Sequence, residues 1–475
     1  MGQFAPVVDQ TGAQLDKSIC GRPALLLFVS GNSNRMAWYE SCGTALEGSQ
    51  VRRRFPSRIK AGGGMIRLSG VATCSLVILL CVPATLIAGE ISLDEAVAIA
   101  VEENPDLAAV ANELVIARGE LQRANYISQF NPELVTDGDY RHRAGRSNAQ
   151  EWRVRLSQQL ETFGQPALRR RSAAFGYQRT QAEVRNQVRL LTAAVKMTFY
   201  EALRDRRRSE LLAELESLDQ RLLRAAQARF DAGEIGQIDL NLSRVRYGVS
   251  RRARIDGLEN YRLQCSSLGR LLGNAVGTEP EPAGNLPIEF LRTDLETLLT
   301  VARANRPDAR AAQMEVARLK NDAGLNRRLA LPNPIVGTYF GHEQNTERFG
   351  GLSVGLSVPI FNRRQAEATA IAGRLAQSQQ RLRAVELNIE HEVRDAHSRY
   401  IAALHGLRAG QEDVIEPARE SFGLLEDAFN VGKLDLLSLS VAERQAFEAR
   451  IGYLDAWFNL VSARVSLDLA VGGGW

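Results

Sequence analysis

Residues Gly350 to Asn362 read GGLSVGLSVPIFN, and their side chains alternate more cleanly than those of any other stretch in the chain. Leu352, Val354, Leu356 and Val358 fall on one face, with Gly351, Ser353, Gly355 and Ser357 on the other. A strand carries such period-two alternation when one face meets hydrocarbon or a core and the other lines a crowded or wet interior. The segment reads as a barrel strand, with the four large residues on its lipid-facing side. The next stretch sets the scale. From Arg363 to Asn430 the pattern is helical with a single proline, Pro417. At about 1.5 Å per residue such a helix approaches ~100 Å, thicker than an ordinary globular core.

Charge is unevenly distributed. The formal net charge is +4, yet residues 1 to 64 alone carry eight basic side chains against Asp9, Asp16, Glu40 and Glu47. Setting those aside, together with Arg67, reduces totals of 59 basic and 55 acidic groups to 50 and 51 over residues 90 to 475. A global basic field for nucleic acid is therefore lacking. At Met65 the sequence reads as a second start: Met65-Ile66-Arg67-Leu68 is positive, and Val71 to Ile87 is an apolar run with Pro83 near its end. That is the form of a secretory signal. Residues 1 to 64 read as a non-native or disordered extension and residues 65 to 89 as the leader. Cys20, Cys42, Cys74 and Cys81 lie in or before it, leaving Cys265 alone in the exported part, which excludes an internal disulfide. Cys81 follows Leu80 rather than the small residue that usually precedes a lipid-accepting cysteine.

Beyond the leader, Ser92 and Glu95 form a capping box that opens a helix expected to pass Asn104-Pro105 and reach about Gln129. Two extended segments come next, Glu133 to Arg141 and Trp152 to Leu160, then a long helix to about Ala232. Val184, Val188, Leu191 and Val195, and later Leu211, Leu215, Leu218, Leu222 and Ala225, give it a coiled-coil seam. A turn at Gly233-Glu234-Ile235-Gly236 leads to a return helix from about Ile238 to Leu272. Then the order restarts. Leu93, Pro105, Asn131 and Pro132 recur at a constant offset as Leu295, Pro307, Asn333 and Pro334, while Phe230, Gly233 and Gly273 recur as Phe429, Gly432 and Gly472. These landmarks mark a tandem duplication: residues 90–273 as a first repeat, 274–290 as a linker and 291–472 as a second.

Each half supplies two strands of the length that crosses a membrane as a tilted barrel strand. Four strands cannot close, and open edges cannot face lipid, so copies must assemble around an axis. Two copies give a filled interior and three leave a channel.

The motifs Ser92-Leu93-Asp94-Glu95-Ala96, Glu103-Asn104-Pro105-Asp106-Leu107, Asn131-Pro132-Glu133-Leu134 and Leu156 to Glu161 before Phe163-Gly164 resemble the outer-membrane efflux proteins of the TolC type. Val358-Pro359-Ile360-Phe361-Asn362-Arg363 resembles their heavy-metal, CzcC-like branch. The resemblance covers residues 91 to 472. It implies a mainly α fold with membrane β: a long coiled-coil helical barrel joined to a trimeric twelve-stranded outer-membrane β-barrel, four strands per chain. It further implies a homotrimer in outer-membrane lipid that docks on a periplasmic adaptor (membrane fusion) protein and an inner-membrane resistance-nodulation-division pump. One departure stands out. Gly164-Gln165-Pro166 occupies a place where Gly-Lys-Arg is frequent in the family.

No phosphate loop, nucleophile elbow or paired-cysteine motif is present, and His391 and His397, six apart, do not share a helix face as a metal pair would. The reading is of a non-enzymatic duct with no cofactor or metal site. The two turns, with Phe230 and Gly233 in one and Phe429 and Gly432 in the other, are implied by the resemblance to meet the adaptor; as plain helix reversals they would need glycine too. Asp239 and Asp435, just beyond them, suit a periplasmic gate, or simply the dipole of the helix start. The expected function is an exit duct for heavy-metal cations. Ducts for drugs or for type I protein secretion, and a pore-less periplasmic coiled-coil scaffold, stay open as alternatives.

Overall fold

The computed structural model describes residues 90–142, 144–145, 149–284, 294–343, 347–411, 414, 417, 420, 421, 424 and 436–473. The extension 1–64, the leader 65–89, Phe429, Gly432 and Asp435 lie outside the described residues. In chain order the elements are β1 (Glu90–Ile91), α1 (Leu93–Glu103), α2 (Pro105–Ala124), β2 (Glu133–Arg141), β3 (Ala149–Gln159), α3 (Gln165–Asp231) and α4 (Gln237–Leu271). They continue with β4 (Glu281–Pro282), α5 (Leu295–Asn305), α6 (Pro307–Leu329), β5 (Pro334–Glu343), β6 (Glu347–Leu356), α7 (Gln365–Gly410) and α8 (Leu436–Val471).

Helix starts obey local chemistry. Ser92 caps α1: the Glu95 N–H donates to its Oγ at 3.4 Å, while the Ser92 N–H donates to Glu95 Oε2 at 3.0 Å. The helix expected to pass Asn104-Pro105 instead breaks there. Asn104 is extended, with ψ 121, because a proline after it disfavours the helical region, and its Oδ1 accepts from the Leu107 N–H at 3.0 Å to cap α2 afresh. Pro105 then sits at the first helical position, where its missing N–H costs nothing. α2 also ends at Ala124, five residues short of Gln129. The long helix α3 has 67 residues, about 100 Å at the α-helical rise. Its buried seam includes Val184, Val195, Leu211 and Ala226; the expected Ala225 is exposed, one position out of phase.

α3 packs along α4, α6, α2 and α8, and α7 along α8 and α6. Two apolar clusters hold the helices together. In the first, Ile91, Ala96 and Ala100 meet Val195, Phe199, Leu203, Leu268 and Leu272. In the second, Leu298, Leu299 and Ala302 meet Ile389, Val393, Tyr400, Trp457, Leu460 and Leu467. Each joins a short first helix to a long helix and the end of its return helix. Tyr200 packs on both, edge-on to Phe199 at 5.9 Å and to Trp457 at 6.4 Å. β1 and β4 form a short parallel pair that the sequence does not announce, each being two residues long.

The other sheet is antiparallel in the order β2-β3-β5-β6. Its strands are 9, 11, 10 and 10 residues long. β6 stops at Leu356, so Val358 lies beyond the strand to which the alternation assigned it. Pro359 brings no N–H to a ladder, and the Ile360 N–H turns back to the Val358 carbonyl at 3.0 Å. No described helix is long and apolar enough to cross a membrane.

Candidate functional site

The register of the four strands sorts their residues into two faces. Leu134 pairs with Leu156, Leu156 with Thr338 and Thr338 with Leu352; one row on, Thr136, Val154, Phe340 and Gly350 align, and Val336 pairs with Val354. This face is apolar, and Leu134, Leu156, Val336, Phe340, Leu352, Val354 and Leu356 are all exposed on it. Trp152, Tyr140, His342 and Arg348 lie on the same face toward the β2–β3 and β5–β6 loops, with the Trp152 and Phe340 rings 5.9 Å apart. A hydrophobic band ending in aromatic and polar groups matches the outward wall of a membrane barrel.

The opposite face is polar. Asp137 pairs with Arg153, Val135 with Arg155 and Asp139 with Glu151, and Glu343 faces Glu347. Arg153 sits over the Phe349 ring at 5.5 Å, and Tyr339 lies 6.2 Å from the same ring. Gly351 makes room for Tyr339, whose hydroxyl oxygen would lie 2.6 Å from a Cβ at that position. The other small residues of that β6 face lie opposite Gly337 and Ile335: Ser353 pairs with the first and Gly355 with the second. The charged residues of this face had a sequence signal, since Arg153 and Arg155 interleave with Trp152, Val154 and Leu156.

At the far end of α3, Phe230 and Gly233 lie in one turn. The Glu234 N–H donates to the Arg229 carbonyl at 2.8 Å and the Gly233 N–H to that of Phe230 at 2.9 Å, a Schellman closure that requires the φ of +76° at Gly233. Phe230 is half-buried and Gly233 exposed. Asp239 is exposed two residues into α4, where its Oδ2 accepts from the Gly236 N–H at 3.3 Å. The structure thus gathers Phe230, Gly233 and Asp239 at one tip and places Leu352, Val354 and Leu356 on β6, far along the chain from it. Among the described residues no group of three or more His, Cys, Asp or Glu side chains could hold a metal ion.

Sequence reasoning missed two corners that brace the wall. The buried Arg306 guanidinium clasps Asp308 at 2.9 and 2.6 Å, Glu392 at 2.6 Å and the Ala470 carbonyl at 2.9 Å. Arg189 donates to the adjacent Leu469 carbonyl, so two guanidiniums serve the last turn of α8. Burial pushes the Asp308 carboxyl up, but the Arg306 hydrogen bonds and charge, with Arg189 beside them, hold it below its ordinary value. At the strand-to-helix junctions, Gly164 and Arg364 precede α3 and α7 with φ of 77° and 62°. Arg364 tolerates this left-handed backbone while Asn326 grips it: Arg364 Nε donates to Asn326 Oδ1 at 2.6 Å and Asn326 Nδ2 to the Arg364 carbonyl at 3.3 Å. Gln165, in the departure Gly164-Gln165-Pro166, is fully buried and donates to Asn333 Oδ1 at 2.8 Å, tying α3 to the base of β5.

Residues 96–274 and 298–473 match the family model described as outer membrane efflux protein. The cobalt-zinc-cadmium resistance protein CzcC of Cupriavidus metallidurans is 25% identical over 390 residues, 81% of this chain and 91% of that protein. The pyoverdine export outer membrane protein OpmQ of Pseudomonas putida is 28% identical over 207 residues, 41% of each chain. In fold, the chain is similar to the outer-membrane channel OprN, with a TM-score of 0.67 at 17% identity over 81% of this chain and 90% of that one.

Proposed function

Because the chain belongs to the outer membrane efflux protein family, with its strands in the outer membrane and its helices in the periplasm, we propose that three copies close into one duct. It is the passive exit of a tripartite efflux system, and its cargo is heavy-metal cations delivered by an inner-membrane resistance-nodulation-division pump through a periplasmic adaptor. One observation carries this: a four-stranded sheet with an apolar face, a charged face and two free edges. Each unpaired backbone group would be costly in hydrocarbon, so the edges of β2 and β6 must pair with neighbouring copies. Three copies give twelve strands and an open polar lumen.

The heavy-metal reading is favoured by CzcC, 25% identical over 81% of the chain, against 21% over 75% for the toluene efflux pump outer membrane protein TtgF of Pseudomonas putida and 41% coverage for the pyoverdine export protein OpmQ. Export of an organic cargo is the second reading, supported by the long match to TtgF and the shorter one to OpmQ. In the duct the protein performs no bond chemistry; the pump supplies the energy and the cargo. Phe230, Gly233, Phe429 and Gly432 act as the adaptor-contact turns, and Asp239 and Asp435 as the periplasmic gate.

Deleting the gene and complementing it tests the assignment. Sensitivity to zinc, cobalt and cadmium should rise on deletion and be reversed by the intact gene. Unchanged metal tolerance, with sensitivity to organic compounds instead, would overturn the cargo and leave the duct.

A further inference from the structure

Four connections join the strands to the helices, all at the same end of the sheet: residues 125–132, 160–164, 330–333 and 357–364. Their apolar side chains are not equally covered. At the two inner connections Leu160, Phe163 and Leu331 are 39%, 38% and 38% exposed. At the connections to the two edge strands Phe130 is covered to the same degree, being 37% exposed, but Tyr126 and Ile127 are 61% and 100% exposed, and Val358, Ile360 and Phe361 are 64%, 62% and 93% exposed. The inner connections are covered from both sides by their own chain, the outer ones from one side only. The bare residues sit where a neighbour is missing.

Strand direction says which neighbour. The order β2-β3-β5-β6 is antiparallel throughout, so β2 and β6 run in opposite directions at opposite edges. In a ring, β2 of one copy lies antiparallel to β6 of the next. The segment entering β2 then stands beside the segment leaving β6.

We propose that Tyr126 and Ile127 of one copy pack against Ile360 and Phe361 of the next, an apolar clasp across each subunit seam where the barrel meets the helices. The inference rests on the closed three-copy duct proposed above. The clasp buries large side chains that would otherwise stand bare, and it ties the seam where strand pairing ends. It also locks the strand register between copies, because a two-residue slip would carry Ile127 past Phe361.

Cysteine cross-linking of the full chain in the outer membrane tests it. Cys265 is buried, so engineered thiols are the accessible ones in the exported part. The double variant Ile127→Cys/Phe361→Cys, treated with a short bismaleimide, should move from monomer to dimer and trimer bands on a denaturing gel, while either single variant stays monomeric. In a Trp152→Phe background, which removes the indole on the lipid-facing side, Ile127→Trp and Phe361→Trp provide a second reading in bilayers of brominated lipid: buried at a seam, they should keep most of their fluorescence. A native mass of three chains with no cross-linking and strong quenching would overturn the clasp while leaving the duct intact. A native mass of one chain would overturn both.

Discussion

The two halves of this chain build the same run of elements but brace it with different chemistry. At the break before α2, a neutral residue suffices: Asn104 Nδ2 donates to the Leu271 carbonyl at 3.0 Å and Oδ1 caps the helix. At the matching break before α6, Arg306 reaches the Ala470 carbonyl, and two carboxylates offset its charge. At the strand-to-helix junctions the contrast recurs, with Gly164 in the first half and Arg364 in the second. One fold thus admits two solutions to the same problem, satisfying the end of a return helix and turning the backbone left-handed. The first solution rests on small or neutral residues and the second on fixed charge.

The largest expected effect breaks that comparison at the buried corner. Arg306→Ala should destabilise the protein by about 3 kcal/mol, at the low end for a broken buried pair because Glu392 stays half exposed. Asn104→Ala should cost about 1–2 kcal/mol. Chemical unfolding in detergent reports both, and equal losses would abolish the distinction. Acid sharpens it further. Asp308 titrates below its ordinary value of 3.8 in the folded chain, so its contribution is fully present above that pH and disappears as pH falls through the folded value. Asp308→Asn should remove that part of the acid dependence, whereas Asn104→Ala should leave the profile unchanged in shape. At the junctions, Gly164→Ala should cost about 1 kcal/mol for its positive φ, while Arg364→Gly should stay within about 0.5 kcal/mol, since backbone relief offsets the one lost bond, from Nε to Asn326 Oδ1, and the bond to the residue's carbonyl remains. At the tip the effect on stability should match that at Gly164, whose backbone and open surroundings are the same. Gly233→Ala meets open space and only the strain of its φ, about 1 kcal/mol or less. In the proposed adaptor role, the bulkier Gly233→Val should nonetheless reduce metal resistance.

Much of the fold was legible because its signals are periodic and local. Leu352, Val354 and Leu356 announce a strand two by two, Ser92 with Glu95 marks a helix start, and Gly233 marks a reversal. Asn104-Pro105 was misread because proline at a first helical position and proline within a continuing helix look alike until the preceding residue's backbone is known. Val358 kept the strand's alternation after the ladder had ended, since pattern does not record hydrogen bonding. The braces were illegible for a different reason. Arg306 meets Glu392 and Ala470, and Arg364 meets Asn326, over separations of 86, 164 and 38 residues. No local rule reads such contacts. The polar wall lay between these cases, since Arg153 and Arg155 alternate with apolar neighbours, but their pairing with Asp137 and Val135 needed the register.

Single chains, each with a two-faced sheet and two open edges, are proposed to close into a conducting membrane duct. Single-channel recording in a planar bilayer, with the native mass of the same detergent-extracted sample, puts this to the test. The expected result is a three-chain assembly with a small, definite conductance that rises when Asp239 and Asp435 are replaced by asparagine. A protein that stays soluble without detergent and never conducts would contradict the duct and favour a pore-less helical scaffold.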